Sequence, residues 1–464
     1  MKITKISLSI GFFLGSLCVF PRGALANTCL AEADRLYLDN NRTAAEQQYR
    51  QCKEPFPQQN VLSYFPEPIT DSAQLSPGAA VYWREAQAGL ANDSENQTFT
   101  ALNLLLTEYP AFVPAYSTMA DALERYDRGD ETLEILEQAA TMFPHDAAIA
   151  RARANALRND GQDLEASMAS RLFAIVNPNH PERDDFIDVA DDDLKAFKKG
   201  LRTQFAITGG LGVISTIFGG GGDQVSNAVD AVQLATMLAS GEKKTGRRLA
   251  ANVVDEAQAN NAYVDDPVIL DYVDQIGQDI AAQMGRDEFD YEFHIIADPS
   301  LNAFALPGGK VFINTGAIMA ANSEAELAGL IAHEVAHTVL SHGYRQLANN
   351  ALLSAASNTL PLGDLPGLAS LGVSREHERQ SDILATRAVA GFGYAADGLR
   401  NLFVTLNEQS GSGPVEYLST HPAPPTRISY LEALIEQNGY NRYAYEGVES
   451  HARIQQRIRQ LTGQ

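Results

Sequence analysis

The chemistry in this sequence is concentrated in one short run, His333-Glu334-Val335-Ala336-His337, and five of the nine histidines fall between residues 333 and 421. On a helix, residues i and i+4 share a face, so His333 and His337 can approach one tetrahedral metal ion from a single turn. Glu334 stands one step round the helix from the first imidazole, where a carboxylate can act as general base toward a water at that ion. A catalytic metal needs a third protein ligand and one position left open. The run Ser374-Arg-Glu376-His377-Glu378-Arg-Gln380-Ser381-Asp382 offers Glu376, Glu378 and Asp382. Glu378 is the choice, because Asp382 then lies one turn away on the same face and can accept a hydrogen bond from the non-ligating nitrogen of His333. A compact three-histidine site would need His at 343, where Gly343 stands. His342, one residue short, reads as a helix-terminal residue or a support for a ligand. A purely structural metal site fits poorly, since it is closed by four protein ligands and gains nothing from Glu334.

These residues require a helix and a scaffold around it. Ser323-Glu324-Ala325-Glu326 is a capping box ahead of the apolar spacing Leu327, Leu330, Ile331 and Val335, which predicts a helix over about 324–342. Upstream, a helical stretch around 266–284 leads to Tyr291–Ile296 and then to Asn302–Leu306, both strand-like. Pro307-Gly308-Gly309 is a turn signal that brings Lys310–Ile313 beside the preceding strand as a hairpin. Ser374 opens a further helical stretch.

Four separated motifs, Asn302-Ala303-Phe304-Ala305-Leu-Pro-Gly-Gly, His333–His337, Ser374 through Glu378 to Asp382, and Thr420-His421-Pro422 through Arg427, resemble the M48 peptidases in kind and order over about 242–440. The resemblance implies a gluzincin fold with one zinc ion per subunit on His333, His337 and Glu378, Glu334 and Asp382 serving catalysis. It further implies substrate added as a strand beside Asn302–Ala305, with His421 and Arg427 at positions that contact substrate or cap zinc. The resemblance leaves two roles open for His421, closure of the site or stabilisation of the oxyanion. Ser381 stands where the family usually has Ala.

Pro110, Pro144 and Pro178 recur every 34 residues, a period that resembles the tetratricopeptide repeat, a helix-turn-helix unit that must stack on neighbours to bury its apolar face. The unit closing at Pro144 supplies Tyr116, Ala120, Leu123, Leu136 and Ala139; the next supplies Ala150, Ala154, Leu157 and Ala166. The unit closing at Pro110 carries Tyr82, Ala86 and Leu102, and a degenerate first unit fits Ala33, Leu36, Ala45, Tyr49 and Pro57. In the periplasmic M48 members that carry such repeats, the repeats follow the protease; here they precede it.

Lys2 and Lys5 precede the apolar run Ile6–Phe20, and Ala24-Leu25-Ala26 matches a small-x-small cleavage pattern, so residues 1–26 read as a cleaved export signal and the compartment as the periplasm. Cleavage removes Cys18 and leaves Cys29 and Cys52, a pair expected to form a disulfide in an oxidising compartment. In the repeat register both fall where the two helices of the first unit meet. The division is then 1–26 signal, 27–180 repeats, 181–241 an acidic linker and Gly-rich segment, and 242–464 the protease. The fold class is mainly α with a small β-sheet (α+β), an α-solenoid followed by a metalloprotease domain.

With 45% hydrophobic and 20% charged residues the chain is a folded one, and a net charge of −23 removes the main source of affinity for nucleic acid. Acidic membrane surfaces are disfavoured for the same reason; the uncharged segment 203–222 is the one place where lipid contact stays open, and it is not indicated. The expected function is zinc-dependent endopeptidase action on misfolded or outer-membrane proteins, with the repeats holding unfolded clients or protein partners. The competing reading is an assembly factor whose protease site is mostly closed by His421.

Overall fold

The computed structural model describes residues 22–57, 66–218, 237–238, 240–348, 374–410, 417, 421 and 425–463, so most of the expected export signal lies outside the described residues. Helix α1 (Arg22–Leu38) and α2 (Arg42–Cys52) form the first antiparallel pair, with the Asn41 side chain capping α2 by accepting from the Ala44 N–H. The expected disulfide joins them, Cys29 to Cys52, with Cα atoms 5.7 Å apart. This pair packs against the far end of the chain. The Asp34 carboxylate accepts from the backbone N–H groups of Glu446 and Val448, both at 2.9 Å, and Tyr37 stacks on Tyr445.

Three helical hairpins follow: α3 (Pro77–Ala91) with α4 (Glu95–Glu108), α5 (Val113–Arg125) with α6 (Gly129–Met142), and α7 (Ala147–Asn159) with α8 (Asp163–Val176). Pro110, Pro144 and Pro178 fall in the turns that follow α4, α6 and α8, where a missing N–H and a fixed φ end one hairpin and start the next. Most of the residues singled out by the repeat spacing are buried, among them Ala86, Leu102, Tyr116, Ala120, Leu123, Leu136, Ala139, Ala154, Leu157 and Ala166, whereas Leu36 and Tyr82 are half-buried and Pro57 is exposed.

The acidic stretch expected to be a linker is instead the start of a long helix, α9 (Arg183–Phe218). Phe186 and Ala190 are buried, and the Ser167 hydroxyl donates to the Ala190 carbonyl at 2.6 Å. Its acids find partners: Arg158 grips both Asp193 oxygens at 2.7 and 2.9 Å, and Arg171 donates to Asp191 at 2.6 Å. Charge density alone suggested a solvated segment, but arginines on α7 and α8 neutralise it. Residues 203–218 of the uncharged segment continue α9, and Gly219–Gly222 lie outside the described residues. Among the described residues no helix is long and apolar enough to cross a membrane.

After α10 (Glu242–Ala259) and α11 (Pro267–Ala281) come three strands, β1 (Glu292–Ile296), β2 (Ala303–Leu306) and β3 (Lys310–Asn314), in the spatial order β1-β3-β2. β2 and β3 form the expected antiparallel hairpin, Ala303 facing Ile313 and Leu306 facing Lys310, while β1 runs parallel to β3. Gly308 and Gly309 turn the chain at φ of +73° and +89°, a region that favours glycine. β2 is therefore a sheet edge. The rest is helical: α12 (Thr315–Ala320), α13 (Glu324–Val339), α14 (Arg375–Phe392), α15 (Gly398–Ser410), α16 (Pro425–Gln437) and α17 (Val448–Thr462).

α13 is buried on every face, packed among α11, α14, α15 and the β2–β3 hairpin. Its cap is close to the expected one. The Ser323 hydroxyl accepts from the Glu326 N–H, and the Glu326 carboxylate reaches back to the Asn322 N–H at 2.9 Å, one residue before the cap itself. The helix ends at Val339 and not at 342. There the Arg286 guanidinium donates to the Val339 carbonyl at 2.6 Å, Ser341 turns at φ of +60°, and a separate helical segment occupies 342–348.

Candidate metal centre

α13 presents His333 and His337 side by side, and α14 lays Glu378 across them. The His333 and His337 Nε2 atoms are 3.0 Å apart, and the Glu378 oxygens lie 3.5 and 3.4 Å from them. Ligand atoms on opposite corners of a tetrahedral zinc ion stand about 3.3 Å apart, so this spacing suits one ion. His421 completes a buried group in which one ligand atom from each of the four residues lies within 4.8 Å of every other. Its Nδ1 is 2.8 Å from Glu378 Oε1, and its Nε2 is 3.8 Å from Glu334 Oε1. Glu334 is buried beside the histidines and also accepts from the Tyr417 hydroxyl at 3.3 Å.

The charge of the site calls for a cation. Glu334, Glu378 and Asp382 are all buried here with one guanidinium, that of Arg427, an acidic surplus that suits a divalent ion. Burial holds His337 in its neutral form, its pKa pushed down to about 3, so the ring keeps a lone pair for a metal. For His333 burial acts in the same sense, but bonding to Asp382 and Glu378 outweighs it and lifts the pKa to about 9. An arriving ion would displace that proton, which is how metal binding couples to pH. Burial raises the Glu334 carboxyl above its ordinary range. Glu378 titrates well below the usual range because His421, His333 and His337 overcome its burial.

The resemblance put Arg427 at a position that contacts substrate or caps the metal site. The structure gives it a supporting role. Its side chain is buried, Nε and Nη2 donating to the two Asp382 oxygens at 2.8 and 2.6 Å and Nη1 to Glu378 Oε2 at 2.7 Å. A planar fork of this kind fixes both carboxylates at once. Asp382 in turn lies 3.1 Å from His333 Nδ1, at hydrogen-bond distance but off the ideal line. It is a positioning residue for His333. Glu376, the other candidate ligand, faces away and accepts from Gln380 at 2.8 Å.

Ala303 to Ala305 lie in β2 at one edge of the sheet, Ala303 buried and Phe304 and Ala305 half-buried, with Asn302 just ahead, its carbonyl accepting from the Asn314 N–H. His342 Nδ1 meets His337 Nδ1 at 3.0 Å, in keeping with a support for a ligand. Two residues near the metal group escaped the sequence reading. Tyr417 stacks on His421, with ring centroids 4.6 Å apart, and its N–H donates to the Leu301 carbonyl, next to the edge strand. Gln380 bonds both Glu376 and His342. The only signal was spacing, four residues from Tyr417 to His421 and from Glu376 to Gln380.

A His-Glu-x-x-His pair on a buried helix, completed by a glutamate from a second helix behind a three-stranded sheet, defines a metallopeptidase type of domain. Residues 270–435 match Peptidase family M48. Similar proteins include a Vibrio cholerae protein provisionally named beta-barrel assembly-enhancing protease, 29% identical over 37% of this chain and 40% of that protein. The mitochondrial metalloendopeptidase OMA1 of Schizosaccharomyces pombe is 30% identical over 35% of this chain and 51% of its own length. The beta-barrel assembly-enhancing protease of Yersinia pestis is 24% identical over 38% and 41%. The chain spans about half or less of the length of these relatives.

Proposed function

We propose that this chain is a zinc-dependent endopeptidase of the periplasm that cuts misfolded or outer-membrane proteins, with its helical hairpins acting as tetratricopeptide-type repeats that hold unfolded clients. The observation that carries the reading is the buried triad of His333, His337 and Glu378 with Glu334 beside it. A zinc ion held by the triad supplies Lewis acidity toward a peptide carbonyl and makes a nearby water more acidic. Glu334, its basicity raised by burial, accepts the proton of the attacking water and passes it to the leaving amine. Asp382 holds His333, and Arg427 holds Glu378 and Asp382, so the ligands are oriented before substrate arrives. As the last strand in the sheet, β2 is where an extended peptide would add. The names of the Vibrio and Yersinia relatives support outer-membrane proteins as the client class, and the disulfide between two N-terminal cysteines supports an oxidising compartment. Glu334→Gln tests the chemistry: the variant should retain zinc and lose peptide cleavage, and persistent cleavage would refute the assignment.

A second reading has its own observation. His421 supplies the fourth side chain of the buried group, close to both Glu334 and Glu378, and the Tyr417 N–H is bonded to Leu301 beside the edge strand. A fourth protein side chain at the group would close it to water, which suits an assembly factor whose cleavage is released by displacement of His421. His421→Ala separates the roles. Faster cleavage of an unfolded client identifies a cap, and lost cleavage with retained zinc identifies a catalytic group.

A further inference from the structure

The zinc ligand His337 has a partner on its far side, and that partner belongs to a directed hydrogen-bond chain. His342 Nδ1 lies 3.0 Å from His337 Nδ1, and His342 Nε2 lies 3.2 Å from Gln380 Oε1. Gln380 Nε2 in turn donates to Glu376 Oε1 at 2.8 Å. Glu376 is held from the repeat side, where the Thr141 hydroxyl donates to its other oxygen at 3.4 Å and Arg153 stands 3.8 Å away.

The polarity of the chain follows from its end. An ionised carboxylate only accepts, so Gln380 must turn its NH2 to Glu376 and its carbonyl to His342. That carbonyl takes the proton on His342 Nε2 and leaves His342 Nδ1 bare. A bare Nδ1 can only accept, so the facing His337 Nδ1 carries the hydrogen, and the His337 lone pair is left on Nε2, the atom that faces His333 and Glu378. The His342 ring is kept in plane by stacking on His377, with centroids 4.1 Å apart and planes 13° apart, and Arg345 donates to His377 at 2.5 Å. The Ser381 hydroxyl, 3.4 Å from His342 Nδ1, is a longer second donor to the same lone pair.

We propose that Glu376, Gln380 and His342 are positioning residues that set the tautomer and orientation of the metal ligand His337. The inference rests on the zinc reading above. Outer partners of this kind are worth 10–100-fold in metal affinity. Zinc affinity is measured by chelator competition on the full exported chain, alongside the thermal unfolding midpoint of the metal-free protein. His342→Leu, which fills the space without an acceptor, should bind zinc roughly 10–100-fold more weakly. His342→Asn, whose carbonyl replaces Nδ1, should recover most of that loss. Gln380→Leu, further from the ligand, should weaken binding less than His342→Leu. In the zinc-loaded protein the downfield His337 Nδ1–H proton resonance should be present in wild type and His342→Asn and lost in His342→Leu. Equal affinity of His342→Leu and wild type, or no recovery in a folded His342→Asn, would overturn the relay. Absence of zinc binding by wild type would instead overturn the metal reading on which the relay stands.

Discussion

The best isolated test of how this fold depends on pH is His451, which lies away from the metal group on α17. Its Nε2–H is shared between the carbonyls of Ile318 and Ala321, at 2.9 and 3.1 Å, and its Nδ1 accepts from the Tyr272 hydroxyl at 2.9 Å. The two carbonyls fix a hydrogen on Nε2, and the contacts tie the last helix to the segment that precedes α13. The ring is 1% exposed, and none of the three partners is a carboxylate. Burial therefore disfavours the imidazolium and pushes the pKa down to about 4 from the ordinary 6.5.

The sign follows from proton counting. Between pH 6.5 and 4 the unfolded chain binds a proton at this position and the folded chain does not, so stability falls as pH falls through that window. The contribution is complete above about pH 6.5 and exhausted below about pH 4. At about 1.36 kcal/mol per pKa unit, the full effect is on the order of 3 kcal/mol, of which about 2.5 kcal/mol is lost by pH 4.5. That corresponds to a fall of roughly 5–10 °C in unfolding midpoint for a domain of this size. His451→Gln keeps a donor and an acceptor but cannot titrate. The assay is thermal unfolding at pH 7.0 and 4.5 for both proteins, which cancels the carboxylates common to them. Wild type should lose roughly 5–10 °C more than the variant. Parallel losses, within about 2 °C, would refute the argument that a buried neutral imidazole sets this dependence.

Two further substitutions probe the joints of the molecule. Lys53 is buried where α2 meets the far end of the chain, pairing with Asp397 at 2.7 Å and with Glu446, and donating to the Arg442 carbonyl at 2.5 Å. Lys53→Met should cost about 3–5 kcal/mol by stranding buried carboxylates, read as a lower unfolding midpoint and faster proteolysis within 28–57; a loss below about 1 kcal/mol would show the pairing to be dispensable. Arg427→Met should lower zinc retained after dialysis against chelator, by roughly 10–100-fold in affinity, while Arg427→Lys, which keeps the charge but not the fork, should fall between; equal retention by all three would remove Arg427 from the support of Glu378.

The parts of this protein that could be read from its sequence are those that depend on spacing within one element. His333 and His337 meet because helix geometry places i and i+4 on one face, and the same arithmetic put Glu378 and Asp382 on one side of α14. The β2–β3 hairpin was legible from Pro307-Gly308-Gly309, since the turn needs the backbone freedom those glycines have. What could not be read depends on partners distant in the chain. Arg427 closes on Asp382 from 45 residues away, and nothing local distinguishes an arginine that will fork two buried carboxylates from one that meets substrate. Lys53 meets Asp397 across 344 residues, so the docking of the disulfide-linked first pair onto the end of the protease had no trace in the repeat register. The acidic start of α9 was misread for the same reason: three aspartates in a row look solvated until Arg158 and Arg171 are known to face them. Each miss is a charge whose meaning is set by its counter-charge. His333 and His337 could be paired because both lie on one helix, whereas Glu378 and the groups that hold these side chains in place are drawn from elsewhere in the fold.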